Sequence, residues 1–533
     1  MNRAERRRKK KLSNKTVQQI DIEQPTSATA QEAAQQGSLC YQSGKLDEAI
    51  SWYKKSLEIQ PDDPAILNNL GRALQTKGDI DGALEYLYKA LTIKSDFPAA
   101  LNNIGNIMLD QGKTNVAEKC YQSALSFEPD NAYSHYNLGK ILEGQGDVDS
   151  AVAYYQKAIL IKADFVLALN NISHILLEQG KFDNALTYIK KAISITPDCA
   201  EAHENNAMAQ YNMGFVNLAL NNLDDGWKRY EFRLLSKAQE HNFFSPPRWQ
   251  GEPLDGKTVL VYAEQGLGDE LTFSLLFTEL AEMAKRCIVL CDPRLESLFA
   301  RSLPGIEVIG VARSEYPTLQ QRLPPLDYQV AAGSLIKFIR PNLQGLKPSL
   351  VADHDRVEHW NKRLAEFGPE PKIGISWSTG KKSSLRLLAH SRLEQWGPIL
   401  TIPGVSFVNL FYGDCTEEIE AARSSFNADI IDLGGKEIDL RNDLDDIYAM
   451  MSALDLIITT SSAVATLSCN LGRKCLYFYS PRNIWKTLGT DSIPWFMDAI
   501  PLFFSNLDEF ESAAKKAGEK VRALAASGKK DYQ

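Results

Sequence analysis

An asparagine recurs every 34 residues, at Asn69, Asn103, Asn137, Asn171 and Asn205, and the interval carries a whole phrase with it. With position 1 at Ala30, Pro64, Pro98, Ala132, Val166 and Ala200, the eighth position reads Gly37, Gly71, Gly105, Gly139, Ser173 and Ala207. The fifteenth reads Gly44, Gly78, Gly112, Gly146, Gly180 and Gly214, and the twentieth Ala49, Ala83, Ala117, Ala151, Ala185 and Ala219. Small residues at fixed places let paired helices approach closely, and a proline or short residue near position 32 (Pro61, Ser95, Pro129, Ala163 and Pro197) closes the unit. One such unit cannot bury its own apolar face. Stacked copies can, as an α-solenoid with a groove lined by the first helix of each pair. The phrase places about six repeats in residues 30–240, with a sixth, degenerate unit in which Trp227, Tyr230 and Leu234 share a face suited to docking on the next domain.

The period and its residues resemble the tetratricopeptide repeat. Asn69, Asn103, Asn137, Asn171 and Asn205 stand at position 6 of successive first helices, so they form one ladder. Side-chain amides offer paired donors and acceptors, which can hold an extended peptide by its main chain. Protein O-GlcNAc transferases are similar in carrying repeat asparagines that bind acceptor polypeptide. The other reading of the ladder is a row of amides that faces water.

Residues 1–29 form a basic tail expected to be disordered: the first fifteen residues carry eight Lys and Arg against one acid, leaving about −15 on the remainder of a chain whose total is −8. That tail is either a solubilising arm or a peripheral contact for anionic lipid or nucleic acid. An acidic body is a poor general partner for nucleic acid. The tail has no apolar run of a secretory signal, and no 18-residue apolar stretch occurs anywhere, so neither export nor a membrane span is expected. Eight scattered cysteines without a Cys-x-x-Cys pair point to a reduced, cytoplasmic chain, with Cys287 and Cys291 in a strand core. Histidines and carboxylates do not cluster, so no metal site is expected.

A turn-rich linker, 241–256, leads into alternating β-rich and helical runs, the pattern of an α/β fold with parallel sheet. Strands are expected at 258–262, 287–291, 307–311 and 328–331, and again at 372–377, 406–411, 455–459 and 475–479. This makes two tandem Rossmann-like units, 257–350 and 351–505, before a C-terminal helix and tail, 506–533. Ligands in such folds sit at the carboxyl ends of the strands. There the first unit has Glu264, Gln265, Gly266, Leu267, Gly268 and Asp269, followed by a helical run from Glu270 to Ala284. Gly266 and Gly268 let backbone approach a ligand. Asp269 is either a general base for an attacking hydroxyl or a helix N-cap, and Glu264 is the second candidate base. This is not a dinucleotide fingerprint, because Leu271 stands where a third glycine belongs.

In the second unit the segment 376–386 holds three cations, Lys381, Lys382 and Arg386, among five hydroxyls that include Ser378, a composition suited to a departing diphosphate. Ser461 and Ser462 open a helix containing Thr466, where hydroxyls and amides can bind phosphate. Trp485 and Trp495 are either stacking platforms for a base or sugar, or packing anchors.

From Arg248 to Phe504 the chain resembles glycosyltransferase family 9, the ADP-heptose heptosyltransferases. The phrases that carry this are Arg-Trp-Gln-Gly at 248, Glu-Gln-Gly-Leu-Gly-Asp at 264, Ile-Gly-Ile-Ser-Trp-Ser at 373, Leu-Asp-Leu-Ile-Ile-Thr at 454 and Asp-Ser-Ile-Pro-Trp-Phe at 491. The resemblance implies a GT-B arrangement that binds the nucleotide-sugar mainly in the second unit and needs neither cofactor nor metal, with Asp269 as base. Ser461, Ser462 and Thr466 stand where that family has Asp-Thr and then His, so either the donor differs or catalysis has been lost. The expected activity is sugar transfer from a nucleotide-sugar to a hydroxyl, on a protein or peptide presented by the groove. Its rival is a non-catalytic scaffold.

Overall fold

The computed structural model describes residues 29–195, 203–235, 244–343, 346–378, 391–460, 462–472, 475–479, 486–496, 499–504 and 507–527. It contains two compact units, Met1–Leu138 and Gly139–Gln533.

Helices alternate as the phrase requires. First helices are Ala30–Gln42, Pro64–Lys77, Pro98–Asp110, Ala132–Gln145, Val166–Glu178 and His203–Ala219; second helices are Leu46–Ile59, Ile80–Ile93, Thr114–Phe127, Val148–Ile161, Phe182–Ile195 and Leu223–Tyr230. Each glycine at position 15 from Gly44 to Gly180 has φ between +72° and +96°, a left-handed turn that ends the first helix and that other L residues resist. Position 8 serves packing instead. A methyl on Gly105 would lie 2.5 Å from the Tyr121 ring, and one on Gly139 would lie 2.7 Å from Tyr155. Ala49, Ala83, Ala117, Ala151 and Ala185 are all fully buried.

The sixth unit departs from the phrase. Its first helix runs straight through Gly214 to Ala219, and Asn221, at φ +61°, makes the turn. Gly214 lies against the second helix, where a Cβ would stand 3.0 Å from the Tyr230 amide nitrogen. Close approach, rather than a turn, is what this glycine provides.

Two parallel sheets make up the α/β region. The first holds β1 (Thr258–Tyr262), β2 (Arg286–Cys291), β3 (Glu307–Gly310) and β4 (Tyr328–Ala331) in the order β3-β2-β1-β4. The second holds β5 (Lys372–Ser376), β6 (Ser406–Asn409), β7 (Ile430–Ile431), β8 (Leu456–Thr460), β9 (Cys475–Tyr479) and β10 (Ala499–Phe503) in the order β10-β9-β8-β5-β6-β7. Cys287 and Cys291 are buried in β2. Strands β7 and β10 escape a reading by composition: one is two residues long and the other contains Pro501 at the sheet edge. In both sheets the chain leaves its first strand in one direction and later returns to the other side of it. The resulting crevices open at the carboxyl ends of β1 and β4 and of β5 and β8.

The end of the repeat array is built into the α/β region. Trp227 and Tyr230 are 1 % exposed, and the Trp227 indole donates to the Pro341 carbonyl at 2.7 Å. Trp495 packs edge-on against Trp227 at 6.1 Å and Phe273 at 5.7 Å, so it is a packing anchor and not a stacking platform. The linker lies along β4, with the Trp249 amide donating to the Gln329 carbonyl and the Gln329 amide to that of Pro247.

Gly105 and Gly144 are both helical, but only Gly105 faces a crowded ring; a Cβ on Gly144 meets nothing within 4 Å. Gly105→Ala is expected to cost about 1–3 kcal/mol through overpacking, outweighing a helix-propensity gain near 1 kcal/mol. Gly144→Ala should show that gain alone. Urea denaturation of both variants checks the contrast, and equal effects would contradict the packing role of position 8.

Candidate functional site

The turn after β1 enters a helix, Leu267–Phe273, whose N-cap is Gly266. Asp269 therefore sits inside the first turn and is not the cap, and the expected helical run from Glu270 to Ala284 is broken by the tight turn Ser274–Leu276. Asp269 lines a cavity of about 770 Å³, and its Oδ1 lies 3.9 Å from Nζ of Lys486 in the second α/β unit. A Cβ on Gly268 would stand 3.6 Å from the Thr466 hydroxyl, and Asn470 donates to the Leu271 carbonyl at 3.3 Å. Gly268 and Leu271 thus face the helix Ala463–Asn470 that carries Thr466, whereas the neighbour shown for Asp269 across the units is Lys486.

The crest of the second sheet is rich in hydroxyls. Ser376 at the end of β5 and Thr460 at the end of β8 are each 1 % exposed, and neither hydroxyl has a hydrogen-bond partner among the described residues. These strands flank the crevice, with Ser376 in register with Thr459. Ser462 is the N-cap of the helix Ala463–Asn470 but makes no side-chain capping bond, and its hydroxyl lies 3.4 Å from that of Thr459. A buried polar group without a partner is costly, so two at one crevice mark a place for a polar ligand or water. Ser378 follows β5 and is half-buried. Lys381, Lys382, Arg386, Ser461 and Trp485 lie outside the described residues.

Glu264 is placed differently from Asp269. Its Oε1 accepts from Arg233 Nε at 3.1 Å, Arg233 Nη2 at 2.9 Å and the Gly333 amide at 3.1 Å, and its side chain is 1 % exposed. Burial pushes this carboxyl up from the ordinary range, while Arg233 and the Gly333 amide oppose the shift. Such a group holds structure together. Asp269 is the candidate base that lines the cavity.

Sequence reasoning missed the neighbours of Asp269. Burial raises Glu270 to about 7, only partly offset by the Asp292 amide at 2.9 Å and by Arg313 at 3.5 Å. Asp292 is held low, first by its side-chain hydrogen bonds with Arg294. Arg313 reaches Glu270 and Lys486 reaches Asp269 from separate turns, and no spacing in the sequence announces either approach.

The ladder asparagines are engaged from within. Asn103 donates to Asn68 at 2.7 Å, Asn137 to Asn106 at 3.0 Å and Asn171 to the Tyr155 hydroxyl at 3.1 Å. Asn69 is half-buried, and the side chain of Asn205 lies outside the described residues. An amide has two donors and an acceptor that takes two bonds, so capacity for a ligand remains.

Models described as TPR repeat and tetratricopeptide repeat match residues 37–78, 65–94, 105–146, 132–165 and 166–199. The first part of the chain is a tetratricopeptide-repeat array. Protein FlbA of Caulobacter vibrioides is 32 % identical over 339 residues, 61 % of this chain and 56 % of FlbA. That length exceeds the repeat array, so the likeness runs into the α/β region; the chain spans little more than half of that relative. Among solved structures, MamA is 28 % identical, covering 30 % of this chain and 93 % of its own, with a TM-score of 0.25. The first TPR of Spaghetti (RPAP3), bound to an HSP90 peptide, is 26 % identical over 21 % of this chain and 90 % of its own, with a TM-score of 0.21. No described helix is long and apolar enough to cross a membrane, and no three His, Cys, Asp or Glu among the described residues group as metal ligands.

The raised Glu270 carboxyl makes stability depend on pH. Its neutral form is favoured by folding, so the contribution is fully present below about 4.5 and is lost as pH rises through about 7. The loss should be on the order of 3 kcal/mol. Chemical denaturation at pH 5 and pH 8 is expected to show a smaller fall for Glu270→Gln than for the parent protein, and an identical fall would remove this assignment.

Proposed function

We propose that the chain is a GT-B glycosyltransferase that moves a sugar from a nucleotide-diphosphate-sugar to a hydroxyl of a protein segment held by the repeat groove. The observation that carries this is the approach of Gly268, in the turn that also bears Asp269, to a helix start whose N-cap side chain makes no capping bond, with two buried hydroxyls without partners among the described residues at the ends of β5 and β8.

Asp269 takes the proton of the acceptor hydroxyl as its oxygen attacks the anomeric carbon. The bond from that carbon to the diphosphate breaks, and the electron pair leaves with the diphosphate. The developing oxocarbenium character is that of other glycosidic centres. The new negative charge falls on the amide end of the helix Ala463–Asn470, on the Ser462 and Thr466 hydroxyls and on Lys486. Lys381, Lys382, Arg386 and Ser461 are further diphosphate contacts in this reading. The nucleotide-sugar is a substrate, and the step as written needs no cofactor or metal. The asparagine ladder holds the acceptor main chain through the amide capacity that its internal bonds leave.

Calorimetric titration with UDP, GDP and ADP is expected to find a nucleotide that binds the parent protein and binds about tenfold more weakly to Thr466→Val. Asp269→Asn should retain that affinity and lose release of nucleoside diphosphate from the matching nucleotide-sugar by at least 100-fold. Failure of all three nucleotides to bind would leave the repeat array as an interaction scaffold, and undiminished turnover in Asp269→Asn would remove Asp269 from the chemistry.

A further inference from the structure

Lys486 lies beside Asp269, and the chain that follows it is under an unusual constraint. Residues 487–490 form a turn closed by the Thr490 amide and hydroxyl, which both donate to the Thr487 carbonyl, at 3.0 Å and 2.7 Å. Its two central residues are left-handed, Leu488 at φ +50° and Gly489 at φ +75°. Glycine and asparagine take that conformation readily, and leucine resists it. A backbone that a residue resists persists only where its surroundings impose it.

Two contacts impose it here. Leu488 is 2 % exposed, in the same buried apolar cluster as Trp227, Tyr230 and Trp495. Gly489 lies on the turn that ends the last first-helix, His203–Ala219: a Cβ on it would stand 3.0 Å from the Ala219 carbonyl oxygen and 3.1 Å from Cβ of Asn221. Asn221 is itself left-handed, at φ +61°, and meets Gly489 through its backbone nitrogen as well. Trp495 anchors the far end of this stretch on Trp227. The near end, which carries Lys486, meets the repeats at Gly489.

We infer that Asn221 and Gly489 are positioning residues for Lys486: the turn that ends the repeat array sets the turn after Lys486, and so holds its ammonium 3.9 Å from Asp269 with the side chain 17 % exposed. The sixth repeat thereby helps to build the donor side of the cleft. The inference rests on the transferase reading only for what Lys486 does toward a diphosphate. A Cβ at 489 is opposed both by φ and by a backbone oxygen, whereas at 221 glycine keeps the left-handed turn and valine opposes it.

Amine acetylation of the full chain by a limiting N-hydroxysuccinimide ester, read by mass spectrometry, tests it. Lys362, 74 % exposed, sets the rate of an open amine, and Lys372, 3 % exposed in β5, reports that the fold is intact. In the parent, Lys486 is expected to react about tenfold more slowly than Lys362. Gly489→Ala and Asn221→Val should each speed Lys486 about fivefold with Lys372 still protected, and Asn221→Gly should leave it slow. The inference is overturned if either of the first two leaves Lys486 slow, if Lys372 opens along with it, or if Asn221→Gly behaves as Asn221→Val does. Nucleotide titrations on the same samples separate the two readings. Freed Lys486 in the variants of a protein that binds no nucleotide removes the transferase and keeps the positioning, and nucleotide binding with unchanged labelling removes the positioning alone. Where both hold, the freed variants should bind nucleotide about tenfold more weakly, and undiminished affinity would overturn the link to the donor side.

Discussion

Arg233 holds the α/β crest to the last helix pair of the repeats. It comes just after the helix Leu223–Tyr230, stacks on the Tyr230 ring at 4.4 Å, and reaches across to Glu264 at the end of β1 and Ser334 after β4. Burial works against its charge, but Glu264 and Glu231 outweigh that penalty and hold it protonated. A buried ion pair contributes little net stability compared with a packed apolar pair, yet removing one partner costs about 3–5 kcal/mol. What the pair supplies here is position. Fixing Glu264 fixes the adjoining turn, and that turn carries Gly266, Gly268 and Asp269.

The aromatic junction works in the same direction by another means. Trp227 touches Trp495 from the second unit, which in turn meets Phe273 at the end of the helix begun by the Asp269 turn. Gln265, inside that turn, donates to the Tyr230 hydroxyl at 2.7 Å. One short stretch after the repeats thus orients both sides of the cleft. Asp269 and Glu270 are then held on a helix whose start is tied to the repeats, which is what a site dependent on precise placement requires.

Much of this was legible because it is periodic. The 34-residue phrase predicts helix pairs, and the buried strands read as short apolar runs because a parallel sheet is covered on both faces. What periodicity cannot carry was lost: Gly214 obeys the phrase in sequence but packs instead of turning, and β7 is too short to register. The Asp269 turn was found from its glycines, whereas the approach of Arg313 to Glu270 and of Lys486 to Asp269 arises only through loop geometry. Glu264 stood in the same phrase as Asp269, and only its burial against Arg233, 31 residues earlier, separates a structural carboxylate from a cavity-lining one.

The central claim is that this buried pair holds the turn in place, and hydrogen exchange reads it directly. In Arg233→Met the uncompensated Glu264 must find water, so amides in 264–273 and 331–335 should exchange at least tenfold faster than in the parent while 456–460 in the second sheet stays protected. Unchanged protection of 264–273 in a folded Arg233→Met protein would show that the turn is held by something else.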